Sequence, residues 1–392
     1  MLKTVIHLPR TVWLLGLISL ANDAASEFVY PLIPLYLASV LMAGPRALGI
    51  IEGIAEATAS LLKLVSGIVA DRLRHGKLMV VGGYGLAALG RPLLAFASSW
   101  PIVLLLRFAD RAGKGLRTAP RDALLALSIT PQQRGIAFGL HRALDDVGAV
   151  IGPLLAAALL AAGLSLHSML LWTVVPGVIT VGLTLAIREP QRKSPAPSAN
   201  FNWDLRAFPT SFKRYLLVLA LFTLGNSSNT FLLLRAHDMG LPQQQIPLLW
   251  ALVALIAALF STPLSALSDR YGRKRLISAG WLIYGAFYLA VGLIGQAWLL
   301  WPLFAAYGLF MAATEGVEKA LVADFAPPEL FGTAYGWFNL TTGIMLLPAS
   351  LLFGALWQGS GPLTAFAIAA GCALAATLLL IFWVGPVHRR DH

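Results

Sequence analysis

Fourteen ionisable side chains of this chain sit inside stretches that are otherwise almost wholly apolar: Asp23 and Glu27; Glu52, Glu56 and Lys63; Arg91; Arg107, Asp110, Arg111 and Lys114; His141, Arg142, Asp145 and Asp146. A charge in low dielectric is costly unless it meets a partner or a water-filled cavity. Such residues therefore mark either buried ion pairs or a path for protons or substrate. Asp23 and Glu27 are four residues apart and share one face of a helix. Carboxylates so placed can take protons from one side of a membrane and release them to the other, which is the chemistry of proton coupling; Glu56 and Asp145 are further candidates for that role. Asp145 and Asp146 are adjacent, point about 100° apart around a helix, and so cannot both face one cavity. With seven acids against six Lys and Arg in the set, internal pairing accounts for much of it, and a structural tie between helices is the alternative for each member.

Other chemistries lack the spacing they need. The seven histidines are scattered without metal-ligand or nucleophile patterns, and the single Cys372 excludes an intrachain disulfide and any CxxC site. Gly113-Lys114-Gly115 lacks both the earlier glycine and the following Ser or Thr of a phosphate loop. An integral-membrane enzyme is thus the remotest functional class, and no cofactor or metal is expected.

The charges must be carried by elements that cross a bilayer. Only 12% of residues are charged and 58% are hydrophobic, against roughly a quarter charged in soluble domains. The apolar residues come in blocks of the ~20 needed to cross ~30 Å of hydrocarbon. Twelve spans are read near 11–35, 48–70, 78–99, 101–120, 135–161, 169–187, 215–235, 246–268, 276–295, 299–322, 333–356 and 363–385, making an all-α integral membrane protein. Lys and Arg number 21 in the loops on the N-terminal side of the membrane and two, Arg46 and Arg235, on the other. The net charge of +11 is therefore a topology signal that places both termini in the cytoplasm of a bacterial-type inner membrane, and not a nucleic-acid signal. A cleaved signal peptide is the rival reading of the N-terminus, but the run continues past Ala24 and Ala25 into Tyr30-Pro31-Leu32-Ile33-Pro34.

The chain repeats itself. Gly67-Ile68-Val69-Ala70-Asp71-Arg72 returns as Ser265-Ala266-Leu267-Ser268-Asp269-Arg270 at an offset of 198, and Ala123, Leu124, Pro131, Gly135 and Gly139 return as Ala320, Leu321, Pro328, Gly332 and Gly336 at 197. Leu20-x-Asn22 is echoed by Leu224-x-Asn226. Two parallel repeats in a hydrophobic chain are the signature of a secondary transporter whose halves move about a shared site. The division expected is a six-helix bundle over 1–189, a Pro- and Arg-containing cytoplasmic linker over 190–214 with an interfacial segment near Phe201, Trp203 and Phe208, and a second bundle over 215–392. Ionisable groups crowd the first half, whereas the second offers little beyond Glu315, Asn226, Asn229 and Asn339; the repeat counterparts of Arg91 and Arg111 are Leu289 and Gly308. The first half is the expected proton-coupling half.

Over essentially its whole length the chain resembles the major facilitator superfamily. The carriers of the likeness are Gly67-xxx-Asp71-Arg72 with Lys77, and Asp269-Arg270-Tyr271-Gly272-Arg273-Lys274-Arg275, which resemble the family's loop signature after spans 2 and 8. The resemblance implies a latch: Asp71 against the positive end of span 11 near Phe331 to Thr333, with Arg72 and Asp122 as partners and Asp269 and Arg270 as the second copy. A solvated loop pair is the alternative. Gly139, Gly148, Gly152 and Pro153 resemble the span-5 signature of the drug:proton antiporter branch, where glycines let helices approach and proline bends one. In span 11 Met345 and Ala349 replace Gly148 and Gly152. The resemblance also implies a span-4 arginine at the proton site, for which Arg107 and Arg111 are two registers. Together these imply a proton-coupled antiporter working by alternating access, with proton symport of a metabolite or siderophore as the alternative. The expected partners are the bilayer, protons and a small amphipathic molecule, with no nucleic acid, and the chain is expected to act as a monomer. Asn226, Asn229, Glu315, Trp337 and Asn339, with aromatics including Trp250, Tyr284, Tyr288 and Tyr307, are the expected substrate wall.

Overall fold

A computed structural model of the chain describes residues 8–72, 76–130, 134–187, 205–325 and 330–385. Among these residues the fold is all-helical, and the helices make twelve spans. Ten of them are apolar enough to cross a membrane on composition alone. The other two, span 2 (Pro45–Arg72) and span 4 (Trp100–Leu127), are long enough to cross, at 28 residues each, but carry the charges described above. Length and helicity are thus preserved where apolarity is given up, which is how a membrane protein builds polar groups into its interior.

Three spans are broken by local chemistry. Span 1 runs Arg10–Val29 and resumes at Leu32–Ser39, because Pro31 and Pro34 deny the backbone donors a continuous helix needs there. Span 6 is divided at Thr173 between Leu166–Trp172 and Val174–Leu185. Span 7 stops at Gly225 and restarts at Thr230, so Asn226-Ser227-Ser228-Asn229 is non-helical at membrane depth, as the run of small polar residues implies. The remaining spans are 3 (Gly76–Leu93), 5 (Arg134–Ala161), 8 (Ile246–Tyr271), 9 (Arg273–Leu293), 10 (Leu300–Phe325), 11 (Phe331–Ser360) and 12 (Pro362–Phe382). Large apolar side chains project outward, among them Leu89, Leu105, Val178 and Phe382 at 67%, 65%, 67% and 82% exposure. So much bare hydrocarbon suits lipid and not water.

The chain divides into two compact units. One comprises Met1–Met42, Ile54–Asn200 and Pro242–Ala251, the other Ala43–Gly53, Phe201–Leu241 and Leu252–His392. The first turns of span 2 are thus counted with the second unit and those of span 8 with the first. In the first unit span 1 packs along span 5 and span 3 along span 4, around Leu15, Val80, Tyr84 and Leu125, all fully buried. In the second unit spans 7 and 9 pack on span 12 around aromatic rings, with Phe222 stacked on Trp281 at 4.1 Å and Tyr284 on Tyr288 at 4.2 Å. There the first turns of span 2 lie against span 11: a Cβ on Gly53 would come within 3.1 Å of the Leu347 carbonyl. Most of the linker, residues 188–204, lies outside the described residues, including Phe201 and Trp203; Phe208 is buried and stacks on Phe212.

Candidate proton and substrate sites

Span 4 organises the first unit. Val103, Arg107, Asp110, Arg111, Lys114 and Arg117 recur at the three- and four-residue steps that normally build an apolar stripe, and most of these side chains are buried. Asp110 is the hub. Its carboxylate lies 3.2 Å from the Arg91 guanidinium, 3.5 Å from Arg107 one turn back, and 3.9 Å from Arg111. Arg91 also donates to the Asn22 side-chain oxygen and carbonyl, both at 3.1 Å, which ties span 3 to span 1. Arg111 turns toward span 2 and meets Glu56 at 3.2 Å. Arg117 sits over the Tyr84 ring at 4.5 Å and donates to the Gly83 carbonyl. Of the two arginine registers, Arg107 pairs with Asp110 of its own helix, and Arg111 reaches Glu56 of span 2.

Asp23 and Glu27 are held differently. Both are half-buried. The Asn22 amide donates to Asp23 at 2.9 Å, and the Trp250 indole N–H donates to Glu27 at 2.8 Å. Neutral donors thus hold the two span-1 acids, whereas Asp110 and Glu56 sit against guanidinium groups. Lys114 and Arg111 face Glu27 at longer range. On span 5, His141 lies 3.5 Å from Asp145, and Arg142 3.1 Å from Asp146 one turn on. His141 is buried while Arg142 is exposed, so the adjacent aspartates do point to different surroundings.

The span-5 glycines act on the same segment of span 1. A Cβ on Gly148 would stand 2.7 Å from the Leu20 carbonyl and 3.0 Å from the Ala24 amide, and one on Gly152 would collide with the Ala24 carbonyl and the Phe28 amide. Only glycine lets the two backbones approach so closely, and the stretch they clamp carries Asp23 and Glu27. Pro153 lies within the same helix. Gly139 differs: a Cβ there would meet nothing within 4 Å, because Gly139 lies on the exposed side of span 5 while Ala137 beside it packs into the core with Val12 and Leu15.

The side chains of Asp71, Arg72 and Asp269, and those of Phe331 and Gly332, lie outside the described residues. Asp122 pairs with its neighbour Arg121 at 2.9 Å, and Arg121 reaches the Ser19 hydroxyl at 3.1 Å. Arg270 stands over the Tyr271 ring at 5.6 Å. The second loop is fastened through Arg273, which bonds Asp324 and the Ala320 carbonyl.

In the second unit the break in span 7 is held by tyrosines. Tyr284 donates to the Gly225 carbonyl at 2.8 Å, and Tyr307 donates to the Asn229 side chain at 2.5 Å. Asn226 and Trp337 are half-buried, and Glu315 and Asn339 are exposed. Two groups escaped the sequence reading. Glu318, one turn after Glu315, accepts from the Trp281 indole at 3.0 Å; its spacing from Glu315 was the available signal. Trp250 was read as part of the aromatic wall, and nothing in its neighbourhood pointed to a partner 223 residues away.

Comparison with known proteins agrees with this architecture. The sequence profile described as Major Facilitator Superfamily matches residues 15–234 and 215–392. An uncharacterised MFS-type transporter of Methanocaldococcus jannaschii is 34% identical over 386 residues, 96% of this chain and 95% of its own length. Multidrug resistance protein MdtH of Photorhabdus laumondii is 24% identical over 316 residues, 80% of this chain and 78% of its own. Among solved structures, the nucleoside transporter NupG superposes with a TM-score of 0.81 at 16% identity, over 95% of this chain and 99% of that one. A POT family transporter in complex with 5-aminolevulinic acid gives 0.82 at 12% identity over 97% of each. At such identities the likeness is one of fold alone.

Proposed function

Because the chain belongs to the major facilitator superfamily of secondary transporters, we propose that it is a proton-coupled antiporter that exports a small amphipathic organic molecule by alternating access. It works as a monomer in a bacterial-type inner membrane with both termini in the cytoplasm. The observation that carries this reading is the contrast between the acids of the first unit. Asp110 and Glu56 lie 3.2 Å from arginines, so taking up a proton gives up an ion pair at either, and at Asp110 a buried one, which is strongly unfavourable. Asp23 and Glu27 are held by an amide and an indole, each at 2.9 Å or less, so that neither is locked in an ion pair of this kind. Arg111 and Lys114 supply the positive charge that answers Glu27.

Direction is supported by Gly148 and Gly152, which clamp span 1 at these acids and match the antiporter-branch signature, and by the relatives named multidrug resistance protein. The substrate wall in this reading is made by Asn226 and Asn229 of the span-7 break with Tyr307, together with Glu315, Trp337 and Asn339. Asp71, Arg72, Asp122, Asp269 and Arg270 form the conformational latch, with Asp71 the stronger member.

The test is a substrate screen in proteoliposomes with an imposed pH gradient, read by internal pH and substrate accumulation. Substrate should move against its gradient as protons move down theirs. Asp23→Asn or Glu27→Gln should abolish that uphill transport and leave substrate exchange intact. Full accumulation in both variants would remove span 1 from the coupling step, and co-directional movement of proton and substrate would establish symport instead.

A further inference from the structure

We propose that Trp250 is a positioning residue: its indole reads the charge on Glu27, so that the first turns of span 8 are fastened to span 1 while Glu27 is ionised and loosened when it is protonated. The inference rests on the proton-coupling reading of Glu27 and extends it to the element that Glu27 controls.

The contact has the geometry of a deliberate joint. The Trp250 Nε1 stands 2.8 Å from Glu27 Oε2, an indole can only donate, and the Trp250 ring lies on Tyr30 of span 1 with centroids 5.1 Å apart. Its neighbours Ile246 and Leu249 are fully buried. The segment Pro242–Ala251 is counted with the first unit, whereas the same helix from Leu252 onward is counted with the second. Trp250 is therefore the last side chain but one before the helix changes allegiance.

The repeat makes the same break. Span 2 changes units between Gly53 and Ile54, and span 8 between Ala251 and Leu252, positions 198 residues apart. Glu52 is the counterpart of Trp250 at that offset, and it accepts from the Ser228 hydroxyl of span 7 at 3.4 Å. Each copy thus places a polar group at the last residue but one before the break and joins it to the first span of the unit that holds it. In the span-2 joint the acid lies on the crossing helix; in the span-8 joint it lies on the receiving one. The shorter bond belongs to the joint whose acid, Glu27, shares a face with Asp23.

When Glu27 takes a proton from water, its carboxylate becomes a neutral acid and the indole faces a neutral acceptor. Hydrogen bonds to an ionised partner are roughly twice as strong as neutral ones, so the first turns of span 8 should open roughly five- to tenfold more often in the protonated form. The charged groups that act on Glu27 are Asp23 on its own helix and Arg111 and Lys114 on span 4; Asp145 and His141 of span 5 interact with Asp23.

The experiment is backbone hydrogen–deuterium exchange of the full-length protein in proteoliposomes at several pH values, corrected for intrinsic exchange rates and followed in peptides covering 242–251. The wild type should exchange roughly five- to tenfold faster in that segment at acid pH than at alkaline pH. Trp250→Phe, which keeps a ring against Tyr30 but lacks the donor, should exchange fast throughout and lose the pH response, and Glu27→Gln should do the same. Tyr30→Leu weakens the packing but spares the bond, so its pH response should persist. A wild-type pH response in Trp250→Phe would overturn the proposal, as would loss of the response in Tyr30→Leu alone. Uphill transport separates this from the underlying reading: accumulation retained by Glu27→Gln refutes proton coupling at Glu27, whereas accumulation lost with unchanged exchange refutes only the joint.

Discussion

Replacing Asp110 by asparagine should destabilise the protein more than any other single change in the first unit. Three guanidinium groups lie at 3.2, 3.5 and 3.9 Å from its carboxylate. At an effective dielectric of about 20 each such pair is worth roughly 4–5 kcal/mol of attraction, most of it offset by the cost of burying both ions. The net value of the cluster is therefore small, but removing its anion is not. Asp110→Asn keeps the shape and leaves Arg91 and Arg107, both nearly fully buried, to repel one another, and breaking a buried pair in this way costs about 3–5 kcal/mol. Arg111 retains Glu56 and limits the damage to the upper end of span 4. The assay is thermal unfolding of purified protein in detergent, followed by tryptophan fluorescence or size-exclusion survival. Asp110→Asn should lower the transition markedly, and Arg91→Leu, which installs the residue found at its repeat counterpart Leu289, should lower it less because Arg107 and Arg111 still neutralise Asp110. Combining Arg91→Leu with Asp110→Asn should cost less than the sum of the two. Unchanged stability in Asp110→Asn would refute the reasoning, since it would mean the arginines are solvated and the buried cluster does not exist.

Gly148→Val and Gly152→Val should each cost about 1–3 kcal/mol by overpacking and abolish transport, because span 1 must move off its seat, while Gly139→Val should be tolerated; stability and uptake measured on the three together check this. Tyr307→Phe removes the donor to Asn229, leaves a polar group poorly satisfied at a cost of about 1 kcal/mol, and should raise the KM for substrate with little change in proton movement. Arg111→Lys should impair coupled transport more than Arg107→Lys, because Arg111 makes the contact to Glu56; equal effects in a pH-gradient assay would count against it. Asp71→Asn should cut transport strongly without affecting insertion and Asp269→Asn more mildly, and identical rates would show that the loops are not specialised.

Much of this protein could be read in one dimension, because the relevant signals are local or periodic. Span length follows from the thickness of the bilayer, the repeat from offsets of 197 and 198, and the break in span 7 from the run Gly225 to Asn229, whereas span 1 reads as one stretch over 11–35 and its break at Pro31 appears only in the structure. The side of span 4 on which Arg107, Asp110, Arg111 and Lys114 lie is equally legible, since 3.6 residues per turn puts them together whatever surrounds them. What those side chains meet is a different kind of information. Arg107 and Arg111 are two registers by spacing; helical periodicity already puts Arg107 beside Asp110 of its own helix, and only the packing of span 4 against span 2 brings Glu56 to Arg111. Three glycines at signature positions look alike in the sequence, yet Gly148 and Gly152 press against span 1 and Gly139 does not, because the rotation of span 5 turns Gly139 outward. Trp250 and Glu27 are separated by 223 residues; no periodicity links them, and their bond exists because packing brings the first turns of span 8 onto span 1. Helical periodicity sets which residues share a face, and the crossing and rotation of the packed helices set which faces meet.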